Sequence, residues 1–256
     1  MRILVTNDDG IDAPGIAVLE NIAKTLSDDV WVIAPSKEQS GVSRSLTLHD
    51  PLRVGDLGNN HFKVSGSPAD CVIMAMQEIL ANKKPDLVLS GINRGANMAD
   101  DCLYSGTIGA AFEASQFNVR AIALSQAIQF SGVGEEIYWD TPQHYGADII
   151  KKLIKSDSDF STIYNLNFPN CPIDAVQGIE VVETGNYDNS VCGVEKRIDA
   201  RGNDYYWLTY LRRNANLNHQ SDLYAITNNK ITVTPLHRNL TAQTEMDKTR
   251  DLLGSF

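Results

Sequence analysis

No run of this chain approaches the roughly 20 consecutive apolar residues of a membrane-spanning helix, and its apolar start, Ile3-Leu4-Val5, reaches polar Thr6-Asn7 too soon for a signal peptide. The chain therefore reads as cytoplasmic, with no membrane partner. Cysteine is sparse: Cys71, Cys102, Cys171 and Cys192 are scattered and form no C-x-x-C pair, which argues against a zinc site and for reduced, buried or incidental thiols. Excess positive charge is also missing. Lys and Arg number 22 against 32 Asp and Glu, a net charge of −10, whereas a nucleic-acid polymer demands a basic face. The first strand is followed by no G-x-G-x-x-G fingerprint, and no glycine-rich loop carries the lysine of a Walker A motif. Repeats, low-complexity tracts and an obvious linker are absent too. One domain over 1–256 is expected, with a core over about 1–126 and a remainder over 127–256 that completes the sheet and adds appendages.

What the chain does have begins at once. The apolar strand 3–6 ends in Asn7-Asp8-Asp9-Gly10. Neighbouring side chains on a strand point to opposite faces, so Asp8 and Asp9 converge on one centre only if the chain leaves the extended conformation there. Gly10 permits that turn. Carboxylates gathered at the carboxyl end of a strand suit a hard cation such as Mg²⁺ or Mn²⁺, and open α/β sheets bind ligands at that edge. The same residues also suit a solvated Asp-Asp-Gly turn.

Downstream, strand and helix signals alternate. Helices are expected over 14–26, opened by Pro14, over 67–80, opened by Ser67-Pro68-Ala69-Asp70, and over 107–115. Strands are expected over 30–34, 87–89 and 121–124, with a β extension between residues 46 and 64. This order predicts a three-layer α/β/α fold around a largely parallel, doubly wound, Rossmann-like sheet. Beyond residue 126 the pattern weakens to a helix over 141–155 and strands over 164–168, 178–184, 204–210 and 230–234. A projecting hairpin is expected about the polar segment 186–196.

Three further segments fall just after expected strands. Ser40-Gly41 offers a hydroxyl and a flexible backbone, and is also ordinary loop punctuation. Ser90-Gly91-Ile92-Asn93-Arg94-Gly95-Ala96-Asn97 carries asparagine carbonyls that bind hard cations and amides that donate to phosphoryl oxygens; asparagine also serves left-handed loop positions. Tyr104-Ser105-Gly106-Thr107 opens a small-residue helix whose N-terminus suits phosphate, with Ser105 or Thr107 as a helix cap. A doubly wound sheet would bring all four segments to one edge. An acidic chain also needs such a locally favourable site, a cation or a helix N-terminus, to hold an anionic substrate.

Together these segments resemble the stationary-phase survival protein SurE family of metal-dependent nucleotidases. The resemblance runs through Asn7-Asp8-Asp9-Gly10 with Ala13-Pro14-Gly15, Ala34-Pro35 to Ser40-Gly41, Ser45-Leu46-Thr47, Ser90-Gly91-Ile92-Asn93 and Tyr104-Ser105-Gly106-Thr107. It continues through Arg201-Gly202 before Tyr205-Tyr206-Trp207, and through Thr232-Val233-Thr234-Pro235-Leu236 to Leu240-Thr241. Ala200 departs from the proline that family members often carry before Arg-Gly, which bears on local backbone geometry alone. The resemblance implies one divalent ion per subunit, Mg²⁺ or Mn²⁺, held by Asp8, Asp9, Ser40 and Asn93. It places Asn97, Ser105, Gly106 and Thr107 around the phosphate. It also implies a homodimer or homotetramer built by exchanged C-terminal elements.

The expected activity is hydrolysis of nucleoside 5′-monophosphates by a metal-activated water, with 3′-monophosphates and polyphosphate left open. Asp8 and Asp9 are its catalytic residues. Two rivals stand beside it. An aspartyl-phosphate phosphatase with Asp8 as nucleophile would trap a phosphoryl adduct on that residue, and a nucleotide-sensing module would bind without turnover. The five histidines, His49, His61, His144, His219 and His237, fall outside all four segments and read as surface or structural.

Overall fold

The computed structural model describes residues 1–128, 136–187, 192–210 and 218–254. Its frame is a nine-stranded sheet among these residues. The N-terminal part contributes β1 (Arg2–Thr6), β2 (Asp29–Pro35), β3 (Val54–Gly58), β4 (His61–Val64), β5 (Leu87–Arg94) and β6 (Arg120–Gln126). β7 (Thr162–Phe168), β8 (Ile179–Val181) and β11 (Ile231–His237) complete it, in the spatial order β3-β4-β2-β1-β5-β6-β7-β11-β8. Pairing is parallel from β4 to β7. β3 and β11 run antiparallel to β4 and β7 respectively.

Alternation along each central strand explains the layers. Ile3 and Val5 face one core with Ile16, Leu19 and Ile22 of α1 (Pro14–Lys24) and Ile149 and Ile150 of α4 (Asp140–Leu153). Leu4 and Val88 face the other, against Cys71 and Val72 of α2 (Pro68–Met74) and Ile108 and Ala111 of α3 (Gly106–Gln116). Both faces are covered, as a parallel sheet requires. Truncating a fully buried Leu19 or Leu89 to alanine would cost about 2–5 kcal/mol.

The connections locate the site. From β1 the chain winds to β2 on one side, then returns through α2 to β5 on β1's other side. The carboxyl ends of β1 and β5 therefore flank a topological switch point, the crevice where doubly wound sheets bind ligands. The expected three-layer, largely parallel fold is what the chain adopts.

Several boundaries differ from expectation. The expected strand 87–89 runs on to Arg94, so Asn93 sits in a strand; its register against β6 shifts between Ser90 and Asn93. Helix α2 ends at Met74 and continues as a wider turn over Ala75–Ile79. The strand expected over 178–184 shortens to β8. The projecting hairpin exists, but its turn does not lie at 186–196, of which 188–191 fall outside the described residues. It is formed by β9 (Cys192–Ile198) and β10 (Asp204–Tyr210). Asp199 supplies the turn, its carboxylate accepting from the backbone N–H of Arg201 at 2.8 Å and Asn203 at 2.9 Å. A short helix α5 (Asp222–Thr227) precedes β11, and helix α6 (Gln243–Leu253) buries no residue and is the C-terminal appendage.

None of the four cysteines is in a disulfide, and burial pushes the Cys102 thiol up to about 12, leaving it inert as a nucleophile. Among the described residues no helix is long and apolar enough to cross a membrane.

Candidate active site and metal centre

Gly10, at φ +99°, turns the chain after β1, as the acidic pair requires. The turn is locked locally: the Asn7 side-chain amide donates to Gly10 O at 2.8 Å, and Ile11 N–H to Pro35 O at 2.9 Å. Each of the other three expected segments is then tied to the aspartates by a direct hydrogen bond. Gln39 N–H donates to the Asp8 carbonyl at 2.7 Å, fixing the loop that carries Ser40. Arg94 N–H donates to Asp9 Oδ2 at 2.9 Å, joining Asp9 to the end of β5 next to Asn93. Thr107 Oγ1 donates to Asp8 Oδ1 at 2.6 Å, joining Asp8 to the start of α3.

Glycine at 106 makes that approach possible. A Cβ there would lie 2.9 Å from Asp8 Cβ and 3.0 Å from its Oδ2. The Ser40 loop is pinned to α3 as well. Arg44 pairs with Glu113 at 2.7 Å, and Ser43 N–H donates to Tyr104 O at 2.9 Å.

Asp8 is buried and Asp9 half-buried. Burial pushes the Asp8 carboxyl up to about 6; the Thr107 hydroxyl opposes this and the Asp9 charge adds to it. Asp9 is raised as well, again chiefly by burial, with the Arg94 N–H opposing and Glu38 adding. Two neighbouring desolvated carboxylates are costly as a bare pair, and a hard cation relieves that cost.

The neutral donors fit the same role. The Ser40 hydroxyl donates to Glu38 Oε1 at 2.9 Å, which leaves its lone pairs available. Asn93 spends its amide on Gly95 O at 2.7 Å, leaving its carbonyl oxygen as the donor for a cation. Among the described residues no group of three or more His, Cys, Asp and Glu side chains forms a metal cage. A cation here relies on two carboxylates and neutral oxygens.

The expected phosphate residues lie on the other side of Asp8. Ser105 caps α3, its Oγ accepting from Ile108 N–H at 3.1 Å, and the Thr107 backbone N–H donates toward the Asp8 carboxylate. Asn97 is buried, and its amide donates to Ser125 Oγ at 2.9 Å and to Thr107 Oγ1 at 3.4 Å.

Two fully buried asparagines that carried no assignment in the sequence hold Asn97 in turn. Asn167 accepts from Asn97 N–H at 2.8 Å and donates to its carbonyl at 3.2 Å, and Asn165 donates to the same carbonyl at 2.8 Å. Their signal was the alternation Asn165-Leu166-Asn167 on a strand that both helical layers cover. The histidines stay out of the site; His61, for example, pairs with Glu20 at 3.2 Å.

Beside Asp9 opens a cavity of about 440 Å³, lined by Asp9 and Ser40 and by Pro14, Gly15 and Trp139. Lys37 and Arg94 also line it. They set positive charge against the carboxylates of Asp9, Asp12 and Glu38, which line it too.

Known proteins resemble this chain along its length. The profile of the family described as Survival protein SurE matches residues 3–190. The 5′-nucleotidase SurE of Parvibaculum lavamentivorans is 51% identical over 256 residues, all of this chain and 92% of that protein. The 5′-nucleotidase SurE of Methylobacterium sp. strain 4-46 is 47% identical over 254 residues, covering 99% of this chain and 100% of that one. The crystal structure of SurE protein from Aquifex aeolicus superposes with a TM-score of 0.83 at 35% identity, over 99% of this chain and 100% of that chain. Matched end to end in sequence and in fold, the chain belongs to the SurE family.

Proposed function

We propose that the protein is a divalent-metal-dependent phosphomonoesterase that hydrolyses nucleoside 5′-monophosphates to nucleoside and phosphate. The observation that carries this reading is the convergence of three other chain segments on Asp8 and Asp9 through direct hydrogen bonds at the switch point of the sheet. The printed names of the relatives, 5′-nucleotidase SurE, agree with it. Asp8, Asp9, Ser40 and Asn93 would hold the cation, Mg²⁺ or Mn²⁺. The chemistry it supplies when bound is positive charge toward the developing phosphoryl oxyanion and acidification of a water.

The chain's own groups do the rest. The N-terminal turn of α3 presents Ser105, Gly106 and Thr107 to phosphoryl oxygens, where the helix dipole favours negative charge. Thr107 serves twice, since its hydroxyl fixes the Asp8 carboxylate. A phosphate that accepts a hydrogen bond from the Asn97 amide needs to displace only its long contact to Thr107, while Asn165 and Asn167 keep the Asn97 backbone in place.

Asp8 is poorly placed as a nucleophile. One of its oxygens accepts from Thr107, the other abuts Gly106, and the side chain does not line the cavity. That geometry speaks against the aspartyl-phosphate route.

Exposed apolar side chains on β10, among them Tyr206, Trp207 and Leu208, and Leu252 and Leu253 on α6 support the expected homodimer or homotetramer. Light scattering on the purified protein tests it.

The functional test is phosphate release from 5′-AMP, 3′-AMP and polyphosphate with Mn²⁺, Mg²⁺ or EDTA. Turnover of 5′-AMP with metal and none with EDTA is expected, with a loss of at least about 100-fold in Asp9→Asn. Undiminished release from that variant refutes the ligand assignment. Binding without turnover would identify a sensing module.

A further inference from the structure

We infer that the cavity beside Asp9 is the nucleoside subsite and that Trp139 is its base-stacking platform. The inference rests on the reading of the protein as a nucleotidase. At about 440 Å³ the cavity lies within the range of small-ligand sites, roughly 300–1,000 Å³. Asp9 and Ser40, which belong to the candidate metal centre, line it. A substrate held at that centre has this space open to its organic part.

Trp139 lines the same cavity half-buried, packed on the core that α1 and α4 share. Its indole is held by contact, not left to swing. A Cβ at Gly15 would lie 3.2 Å from Trp139 Cη2 and 1.9 Å from the Ile92 carbonyl oxygen, so the ring edge rests on the bare backbone at the start of α1. A fixed aromatic face reached from a phosphate site suits a flat π-system.

The polar groups around the cavity are mostly charged side chains on the exposed loop 36–40 and at Arg94, not buried amides that would read one base edge. Stacking of this kind tolerates every base, because each has a π face. The subsite therefore takes purine and pyrimidine nucleotides alike and discriminates against phosphomonoesters that lack a base.

The test compares Trp139→Phe and Trp139→Leu with the parent enzyme on 5′-AMP and on ribose 5-phosphate, a base-free substrate. Leucine keeps apolar volume without a π face, and phenylalanine keeps the face. The expected result is a rise in KM for 5′-AMP of roughly tenfold in the leucine variant, most of it restored by phenylalanine, with kcat little changed and ribose 5-phosphate kinetics unaltered.

A second measurement needs no turnover. With Trp31 and Trp207 replaced by phenylalanine, Trp139 is the one remaining tryptophan of three, and 5′-AMP is expected to quench its fluorescence. Equal KM values for 5′-AMP in the leucine and phenylalanine variants overturn the inference, as does an equal rise for ribose 5-phosphate or the absence of quenching under conditions where the parent hydrolyses 5′-AMP. Quenching in a protein that releases no phosphate would instead refute hydrolysis and leave the subsite standing.

Discussion

Replacing Asp8 by asparagine is expected to stabilise the metal-free protein while abolishing its activity. A carboxyl raised from its ordinary 3.8 to about 6 by burial holds its proton more tightly folded than unfolded. At 1.36 kcal/mol per pH unit, that difference is about 3 kcal/mol. The sign follows from linkage. Between roughly pH 4 and 6 the folded state binds the proton and the unfolded state does not, so stability falls as pH rises through that window. Above about pH 6 the full cost of burying the charge is present. Asparagine carries no charge and can still accept from Thr107 Oγ1 through its carbonyl.

At pH 7.5 in EDTA the variant should therefore be more stable by up to about 3 kcal/mol, roughly 5–10 °C in Tm for a chain of this size. At pH 4 the advantage should largely vanish. Adding Mn²⁺ at about 100 times its dissociation constant should stabilise the parent by about 2.7 kcal/mol and the variant far less. Thermal melts at four pH values, with EDTA and with Mn²⁺, read all of this. A variant that melts at or below the parent in EDTA at pH 7.5, or with the same offset at pH 4, refutes the claim that a desolvated charge sits at residue 8.

Gly106→Ala puts a methyl group 2.9 Å from Asp8 Cβ; kcat/KM for 5′-AMP should fall by at least about tenfold with Tm near the parent value, because alanine favours the helix. Asn167→Leu removes both bonds to the Asn97 backbone and leaves buried groups unpaired, so a loss of about 2–4 kcal/mol is expected by denaturant unfolding. At the far side of the sheet the Lys83 ammonium, with the Trp31 indole and the Arg2 guanidinium, holds the Asp29 carboxyl down to about 2. Its contribution is present above about pH 4 and lost as pH falls toward 2. For a group about a third exposed this is about 1 kcal/mol, and Asp29→Asn should flatten that part of the acid limb.

The parts of the site legible in the sequence were those where local chemistry dictates local geometry. Two aspartates followed by a glycine after an apolar strand can hardly be accommodated except by a turn at a strand end, and Ser105 before a small-residue stretch announces a helix start. Asn93 was legible as a donor but not as part of a strand. Gly91, at φ +136°, lets β5 press against the Leu124 carbonyl, where a Cβ would come within 2.1 Å. From sequence that glycine signals a loop, and its real reason is a neighbouring strand far along the chain.

Asn165 and Asn167 were hidden for the same cause, since their partner Asn97 lies 68 and 70 residues away. Trp139 carries no motif at all, and Lys37 and Arg94 lie inside two of the quoted segments without a role of their own there. Only the cavity they share gives them a common purpose.

The charge of the chain makes better sense once the site is in view. A protein at −10 repels a phosphate dianion at long range, yet the candidate site carries two helix N-termini, of α1 and α3, and Lys37 and Arg94 set against Asp12 and Glu38. Buried Asp8 and half-buried Asp9 would work against that local field until a cation neutralised them. On the proposed reading the acidic pair would do more than ligate. Without metal it would deter anions from the pocket, and with metal the same position would become their strongest attractor. Phosphate affinity of the parent should accordingly rise on adding Mn²⁺ far more than in Asp9→Asn, which removes one of the two charges and half of the switch.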